Sequence, residues 1–457
     1  MWKGDEVSVP SRDDGESGIA KLIASPSGGV LIAGWTSAER LESLAVLIEQ
    51  AEVVIEGGRL ARFPHPPRDG QIGGMQNRSG FVALHLFDGR IFDARSAQAT
   101  LRLTNGRIVK VRGVVEHVTD LALQHAALAA LFTFDGLDAG VIAASELLDA
   151  GWGEIILQLG RLAAAEPDRD PVVVAFGRPA HRPKTSIVIP LVRPAPNLFV
   201  QNALFSQCEG IEDYETLYVL DAPEIANAVA DDMKQGLEIY GLAQKLIVVP
   251  RQGYAAAINR AAEAAQSDRL ILLQPDVYPR DDGWAQRHNL LTRGDPRGAK
   301  LFGASLHQRD GTPEPTGVHI HRRTTARFRD GRGDARRTLR AEATIVGEQP
   351  VTALTSAFLS IDRNWFEALG GLDENYLSGD PAVADLCLRS LYRGSPSWLH
   401  DLKMWRADAV AARPEPSVGG ASVVSRWIFD AIWAETIDPC VLGGDPKHPA
   451  LARNARD

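Results

Sequence analysis

Residues 270–277 read Leu-Ile-Leu-Leu-Gln-Pro-Asp-Val, and three similar apolar runs precede them in the chain. These are Ser-Ile-Val-Ile-Pro at 186–190, Leu-Tyr-Val-Leu-Asp at 217–221 and Leu-Ile-Val-Val-Pro at 246–250. Unbroken branched-apolar runs of this length are typical of strands that are buried on both faces. Helical segments separate the runs, and strand–helix–strand units of this kind build a doubly wound sheet. We therefore predict an α/β fold with a mainly parallel sheet flanked by helices.

Two acidic residues stand at the ends of these runs. Asp221 ends the second run, and Asp276 lies near the end of the fourth. In open α/β sheets ligands bind outside the carboxyl ends of the strands, so the pair predicts a ligand site at that edge. A strand-end Asp is also common as a turn residue or helix cap, which is the alternative for each. No Gly-x-Gly-x-x-Gly follows any of the runs, so a dinucleotide site has no support.

The N-terminal part of the chain has a different pattern. Residues 19–113 alternate short apolar runs with turn residues, and the pairs Asp88-Gly89 and Asn105-Gly106 are hairpin-type turn signals. This pattern predicts a β-sandwich accessory domain. Residues 1–18 carry five acidic residues and no apolar core, which predicts a disordered leader and no secretory signal.

The remaining domain boundaries follow from changes in the spacing of apolar residues and in proline content. Residues 114–183 predict a helical connector that ends in a proline-rich linker. The α/β domain is expected over 184–410, and a tail with one helix near Val423–Ala434 over 411–457.

Charge and composition exclude several classes of protein. The net charge of −9 argues against a general nucleic-acid binder, which needs a basic surface. Cys208, Cys387 and Cys440 are too few and too widely spaced for a disulfide framework or a zinc cluster. No stretch of 18 apolar residues occurs, so no transmembrane segment is expected. We expect a cytoplasmic protein, and peripheral contact with a membrane stays open.

Seven pieces of the chain, in order between residues 184 and 405, resemble the inverting family 2 glycosyltransferases with the GT-A fold. They are Ser-Ile-Val-Ile-Pro at 186–190, Val-Leu-Asp at 219–221, Pro-Arg-Gln-Gly-Tyr-Ala-Ala-Ala-Ile-Asn-Arg at 250–260, Leu-Leu-Gln-Pro-Asp-Val at 272–277, Ala-Leu-Thr-Ser-Ala-Phe-Leu-Ser-Ile-Asp-Arg at 353–363, Phe-Glu-Ala-Leu-Gly-Gly-Leu-Asp-Glu-Asn-Tyr at 366–376 and Asp-Leu-Cys-Leu-Arg at 385–389. The resemblance covers about half of the chain. It implies transfer of a sugar from a nucleoside-diphosphate sugar to a glycan or lipid-linked acceptor, in surface polysaccharide synthesis.

The resemblance also implies roles for individual residues. The nucleotide sugar would be bound by Pro190, Asp221, Gly253, Asn259 and Asp276. Asp221 would accept hydrogen bonds from the base or ribose, and Gly253 would let the backbone approach the ligand. Asp276 would ligate Mg²⁺ or Mn²⁺ bound to the diphosphate, since hard divalent ions prefer carboxylate and phosphate oxygens.

On the acceptor side the resemblance places Thr355 and Ser356. The chain departs from the family close by, because Ala382 and Val383 stand where the family carries Glu-Asp, whose Asp is the general base. Asp380 is the predicted substitute base, and Asp385 is a second candidate. The alternative is that Asp380 only caps a helix, with Pro381 at its first position.

The metal motif departs from the family as well. Gln274 and Pro275 replace the expected acid or amide residues before Asp276, and the late His expected near Met404 or Trp405 is missing. Two hypotheses of function follow: an active glycosyltransferase, or a catalytically silent relative that binds a ligand or serves as a scaffold.

Two further features attract notice. His319 and His321 stand two apart, as a metal pair on one strand face would, although solvent-facing or acceptor-side histidines are the alternative. The arginine-rich stretch from Arg322 to Arg340 is interpreted as a Gly/Asp-rich loop that is either an anion-binding segment or a solvated face.

Overall fold

The computed structural model describes residues 17–36, 41–64, 79–87, 89–135, 144–165, 170–179, 181–191, 198–249, 253–294, 299–329, 332–407 and 416–437. The chain forms two compact units, Met1–Ala165 with Pro414–Val424 and Glu166–Arg413 with Ser425–Asp457. The predicted leader up to residue 16, Asp88 of one predicted turn and residues 438–457 of the predicted tail lie outside the described residues.

The first unit contains two sheets and a set of helices. Its strands are β1 (Gly18–Ala24), β2 (Gly29–Thr36), β3 (Leu41–Ile48), β4 (Ala51–Glu56), β5 (Leu60–Pro64), β6 (Ser79–Leu86), β7 (Ser96–Leu103), β8 (Ile108–Val114) and β9 (Glu116–His117). Its helices are α1 (Asp120–Asp135), α2 (Ala144–Leu147) and α3 (Gly153–Ala164), with short irregular turns at Gly57–Arg59 and Leu148–Trp152. The sheet orders are β5-β6-β2-β1-β9 and β4-β3-β7-β8.

Side chains from both of these sheets join one hydrophobic cluster, which includes Leu22, Ile32, Leu44 and Leu101. The predicted turn at Asn105-Gly106 is confirmed. It joins β7 to β8, Gly106 has φ +82°, and its N–H donates to the Leu103 carbonyl. Only glycine adopts such a positive φ without strain, which explains the residue at this turn.

The second unit is built on a large sheet with helices on both faces. Its strands are β10 (Val172–Phe176), β11 (Thr185–Leu191), β12 (Tyr214–Leu220), β13 (Gln244–Val248), β14 (Arg269–Leu273), β15 (Val277–Pro279), β16 (Leu301–His307), β17 (Pro313–Glu314), β18 (Gly317–Arg329), β19 (Arg332–Ile345), β20 (Gln349–Val351), β21 (Ala353–Leu354), β22 (Phe358–Asp362) and β23 (Ser397–Arg406). Its helices are α4 (Leu198–Ser206), α5 (Ala226–Tyr240), α6 (Tyr254–Ala264), α7 (Trp284–Gly294), α8 (Arg363–Ala368) and α9 (Gly379–Tyr392), with short 3-10 turns at Ile211–Asp213 and Pro223–Ile225.

A further helix, α10 (Pro416–Trp433), has residues in both units and covers the helix predicted near Val423–Ala434. No helix in the described part of the chain is both long enough and apolar enough to cross a membrane.

The strand order of the large sheet brings the carboxyl ends of several parallel strands to one edge. The sheet runs β10-β13-β12-β11-β14-β22-β16-β23-β15, and β13, β12, β11 and β14 are parallel neighbours. Leu220 pairs with Leu191 and Leu272 pairs with Val188, so the ends of β12 and β14 lie at the same edge. The expected mainly parallel sheet is in fact mixed, because β10, β22 and β15 each pair antiparallel with a neighbour.

Burial on both faces fixes the central strands. Every residue of β11 and β12 is buried. Alternate residues such as Ile187 and Ile189 join a cluster with Phe205 of α4 and Met233 of α5, and α6 contacts the same strands. Because side chains alternate along a strand, Val188 points to the opposite face from Ile187 and Ile189. This double burial is what the unbroken apolar runs predicted.

Two segments differ from the sequence interpretation. The predicted linker supplies β10, an antiparallel edge strand whose valines Val172, Val173 and Val174 are exposed. The predicted loop around the arginine-rich stretch is the long hairpin of β18 and β19. A strand composed mainly of polar residues lacks the apolar alternation by which strands are recognised from sequence.

Candidate functional site

Asp221 and Gly253 come together at the carboxyl edge of the parallel strands. The Gly253 N–H donates to Asp221 Oδ2 at 3.2 Å. Gly253 precedes α6 with φ +92°, and a Cβ there would lie 3.1 Å from Leu377 Cδ2. Both the backbone conformation and the close approach require glycine at this position. The residues therefore form a half-buried corner between the end of β12 and the start of α6.

A second group joins the end of β14 to the start of α9. The Ser356 N–H donates to Asp380 Oδ1 at 2.8 Å, and the Ser356 hydroxyl donates to the same oxygen at 2.7 Å. The Gln274 side-chain amide in turn donates to the Ser356 hydroxyl at 3.1 Å. Asp380 is exposed, and its other oxygen, Oδ2, has no hydrogen-bond partner within the described ranges. One carboxylate oxygen thus positions Asp380 and the other stays available.

Tyr254 connects the two groups. A Cβ at Gly379 would lie 2.8 Å from the Ser356 hydroxyl oxygen and 3.1 Å from Tyr254 Cζ. Burial, and to a lesser extent the charge of Asp380, raises the pKa of Tyr254. The phenol therefore stays protonated and is a hydrogen-bond donor beside the carboxylate.

Asp276 has a cationic partner. Arg406 Nε donates to Asp276 Oδ2 at 3.0 Å, and Arg406 Nη1 donates to Glu314 Oε1. Burial lowers the pKa of Arg406, but the two carboxylates more than offset this effect and raise it. The side chains of Asp276 and Arg406 are about 28% and 31% exposed.

The predicted Mg²⁺ or Mn²⁺ ligand set does not fit this arrangement. Hard divalent ions need several oxygen ligands, and here one oxygen of Asp276 is committed to Arg406. Within the described ranges no group of three or more His, Cys, Asp or Glu side chains could hold a metal ion.

Asn259 is used by the protein itself. Its amide nitrogen donates to the Leu372 carbonyl at 2.9 Å and to Glu374 at 3.1 Å, and its oxygen accepts the Leu372 N–H at 2.9 Å. Asn259 thereby ties α6 to the loop after α8. Pro190 lies buried within β11, opposite Val219 of β12, one residue before the end of that strand.

Thr355 lies near a cavity. Its N–H donates to the Thr316 carbonyl at 3.0 Å, and Thr316 lines a cavity of about 260 Å³ that Glu314 and His307 also border. The Thr355 hydroxyl is buried without a hydrogen-bond partner among the described residues.

The structure also locates several of the remaining candidates. Asp385 is buried, accepts from Arg389 at 2.8 Å and from the Trp433 indole at 2.9 Å, and burial raises its pKa. Ser378, rather than Asp380, immediately precedes α9. His319 and His321 have ring centroids 5.8 Å apart, and most of the side chains from Arg323 to Arg340 lie outside the described residues.

Three residues of the site were absent from the sequence hypothesis: Tyr254, Glu314 and Arg406. Tyr254 carried a signal, because it follows Gly253 directly, but its apolar helical spacing favoured a packing role. Arg406 directly follows the two positions where the resemblance implies a histidine, and this adjacent charged residue is its signal in the sequence. No pattern in the sequence around Glu314 indicates that it belongs to the site.

No family model matches the chain, and no curated protein matches it. Solved structures similar to it include the mannosyltransferase PcManGT from Pyrobaculum calidifontis in complex with GDP-Man and Mn²⁺, with 14% identity, a TM-score of 0.36 and coverage of 63% of this chain and 70% of that one. Another is GalNAc-T7 with UDP, GalNAc and Mn²⁺, with 10% identity, a TM-score of 0.37 and coverage of 54% and 48%. A third is S. aureus TarS 1-349, with 11% identity, a TM-score of 0.33 and coverage of 49% and 60%. At these identities and TM-scores the likenesses specify neither an activity nor a donor for this chain.

Proposed function

We propose that the second unit binds a nucleoside-diphosphate sugar at the carboxyl edge of β12 and β14 and transfers the sugar, with inversion, to a glycan or lipid-linked acceptor. The observation that carries the proposal is the series of neighbouring residues along this edge. It runs from Asp221 through Gly253 and Tyr254 to Asp380 and Ser356. Surface polysaccharide synthesis is the process that such a transfer would serve.

The donor end of the site is assigned to Asp221 and Gly253. The carboxylate accepts hydrogen bonds from a base or ribose, and the glycine keeps the backbone open to the ligand. Asn259 supports this corner indirectly, because it holds the loop at Leu372 against α6. Pro190 lies one residue before the end of the central strand β11, at the same edge.

The chemical step is assigned to Asp380. In an inverting transfer the acceptor oxygen attacks the anomeric carbon, and the bond from that carbon to the diphosphate breaks. The acceptor hydroxyl loses its proton to the base, for which Oδ2 of Asp380 is free while Oδ1 is held by Ser356. Positioning of this kind is what a general base needs. Tyr254 donates a hydrogen bond to a sugar or phosphate oxygen.

The acceptor is proposed to approach from the cavity beside Thr355. Thr316 links Thr355 to the cavity, because its carbonyl accepts the Thr355 N–H and the residue lines the cavity. Ser356, the next residue, binds Oδ1 of Asp380 and so links this approach to the base.

A silent, ligand-binding domain is the second candidate. Ala382 and Val383 are buried at the positions of the family Glu-Asp, and neither side chain takes up a proton. If Asp380 serves only to hold Ser356, the site binds a nucleotide sugar without turnover.

The test is an assay of nucleotide-sugar turnover. The native chain is incubated with a panel of nucleoside-diphosphate sugars and glycan acceptors, and release of the nucleoside diphosphate and the configuration of the product are measured. Release with an inverted product supports the transferase. Tight binding with no release supports the silent relative, and a chain that neither binds nor turns over any donor refutes both.

A further inference from the structure

Arg406 binds Asp276, the carboxylate to which the resemblance assigned a divalent cation. It pairs with Asp276 through Nε and with Glu314 through Nη1. Glu314 is on β17 and Asp276 directly precedes β15, so carboxylates from two separate segments hold the guanidinium at the end of β23. All three side chains are between 23% and 31% exposed, so solvent and ligands reach them.

The guanidinium retains unused hydrogen-bonding capacity. An arginine has five N–H donors in a planar fork, and the two carboxylates engage Nε and Nη1. Its Nη2 has no hydrogen-bond partner within the described ranges. A planar fork of this kind matches the oxygens of a phosphate.

A second arginine lies beside the residue that precedes Arg406. The guanidinium of Arg280 lies 4.8 Å from the ring centroid of Trp405, the residue before Arg406. Burial and Asp276 raise the pKa of Tyr278 to about 12, and Arg309 opposes the shift, so Asp276 and Arg309 both act on that hydroxyl. A second cationic side chain, Arg280, therefore lies near the end of the strand that carries Arg406.

We propose that Arg406 takes the place of the divalent cation: it binds the diphosphate of the donor through Nη2, while Asp276 and Glu314 hold its guanidinium in position. As the bond between the anomeric carbon and the diphosphate breaks, its electron pair passes to the leaving oxygen, and Arg406 stabilises that charge. The acceptor proton goes to Asp380. Donor binding and transfer then need no metal ion. This inference rests on the proposed function.

The experiment is calorimetric titration of GDP, UDP, ADP and CDP into the native chain, in EDTA and in MnCl₂. We expect affinities in the two buffers that agree within about twofold for the nucleotide that binds. Arg406→Gln is expected to weaken that binding about 10- to 100-fold in both buffers, because it removes a charge-assisted contact. The matched control is Arg293→Gln, an exposed arginine of α7, which leaves the affinity unchanged.

Two further, more conservative variants distinguish a loss of binding from a loss of folding. Arg406→Lys keeps the charge without the fork, and we expect an affinity between those of the native chain and Arg406→Gln. Asp276→Asn keeps an acceptor for Arg406, and we expect binding that is still insensitive to EDTA. Circular dichroism of each variant establishes that it is folded before titration.

The possible outcomes distinguish failure of the inference from failure of the proposed function. Binding that requires Mn²⁺, or that Asp276→Asn abolishes together with a response to Mn²⁺, overturns the inference and leaves the proposed function standing. The same holds if a folded Arg406→Gln binds as tightly as the native chain. Failure of every nucleotide to bind in either buffer overturns the proposed function itself and the inference with it.

Discussion

At the scale of single residues, Asp221 is the part of the proposed donor site with the clearest geometry. Its carboxylate accepts the Gly253 N–H, and it lies at the end of a fully buried strand. Asn in its place would keep an acceptor oxygen for Gly253 while it removes the charge.

We expect Asp221→Asn to weaken binding of a nucleoside diphosphate about tenfold, since hydrogen bonds to an ionised acceptor are roughly twice as strong as neutral ones. Calorimetric titration measures the change. Asp231→Asn, on the exposed side of α5, is the matched control and should bind as the native chain does. Equal affinity in the native chain and Asp221→Asn would remove Asp221 from the site.

Asp380 can be tested with the same logic. We expect Asp380→Asn to lower the transfer rate about 10²- to 10⁴-fold, the usual contribution of a positioned acid or base. Donor affinity should change little, because the amide oxygen still accepts from Ser356. Rates of nucleoside-diphosphate release with saturating donor and acceptor measure the effect. A variant that transfers sugar as fast as the native chain would show that the base is another group.

At the scale of elements, the contact between α6 and the loop after α8 supports the proposed donor corner. Asn259 makes two hydrogen bonds with the backbone of Leu372, and Gly371 approaches it so closely that a Cβ there would lie 2.7 Å from the Asn259 oxygen. The loop and the helix are therefore fastened by one side chain.

Asn259→Ala is expected to lower the free energy of unfolding by about 1–3 kcal/mol, because the Leu372 N–H and carbonyl lose their partner. Urea unfolding followed by circular dichroism measures the loss. Glu263→Ala, on the exposed side of the same helix, should change stability by less than about 0.5 kcal/mol. Similar losses in both variants would mean that the loop does not depend on Asn259.

The same scale shows what the sequence could predict. The central parallel strands and α6 were predictable, because burial on both faces and helical spacing leave local patterns in SIVIP, LYVLD and the alanine-rich helix. The pairing of Asp276 with Arg406 was not, because it joins residues 130 apart along the chain and depends on β15 lying against β23. No local pattern specifies which strand pairs with which.

The hydrogen bonds between Ser356 and Asp380 could not be predicted from the sequence either. Both residues were candidates, but their contact arises only because the turn before β22 meets the start of α9. Conversely, the exposed valines of β10 gave a strand signal that the surrounding prolines obscured.

At the scale of the whole molecule, the second unit contains a buried histidine whose titration couples folding to pH. His288 lies in a polar group in the core, 2.8 Å from the Tyr214 hydroxyl and 2.9 Å from the Ser360 hydroxyl. Burial, with a smaller effect of Arg269, lowers the pKa of His288 to about 3 from an ordinary value of 6.5. The folded state therefore keeps the ring neutral in a range where the unfolded state protonates it.

Because the unfolded state binds the extra proton, stability falls as the pH drops below about 6.5. One such group contributes a slope of up to about 1.4 kcal/mol per pH unit. We expect urea unfolding at a series of pH values from about 7 to 5 to show this slope in the native chain, and His288→Gln to show a slope smaller by that amount. Parallel curves for the two proteins would mean that His288 is already charged in the folded state.

The most direct test of the central claim is a crystal structure of the chain with a bound nucleoside diphosphate. The account predicts ligand density at the carboxyl edge of β12 and β14, with the base or ribose against Asp221 and Gly253 and the diphosphate against Arg406. A nucleotide bound elsewhere on the chain, with this edge empty, would contradict it.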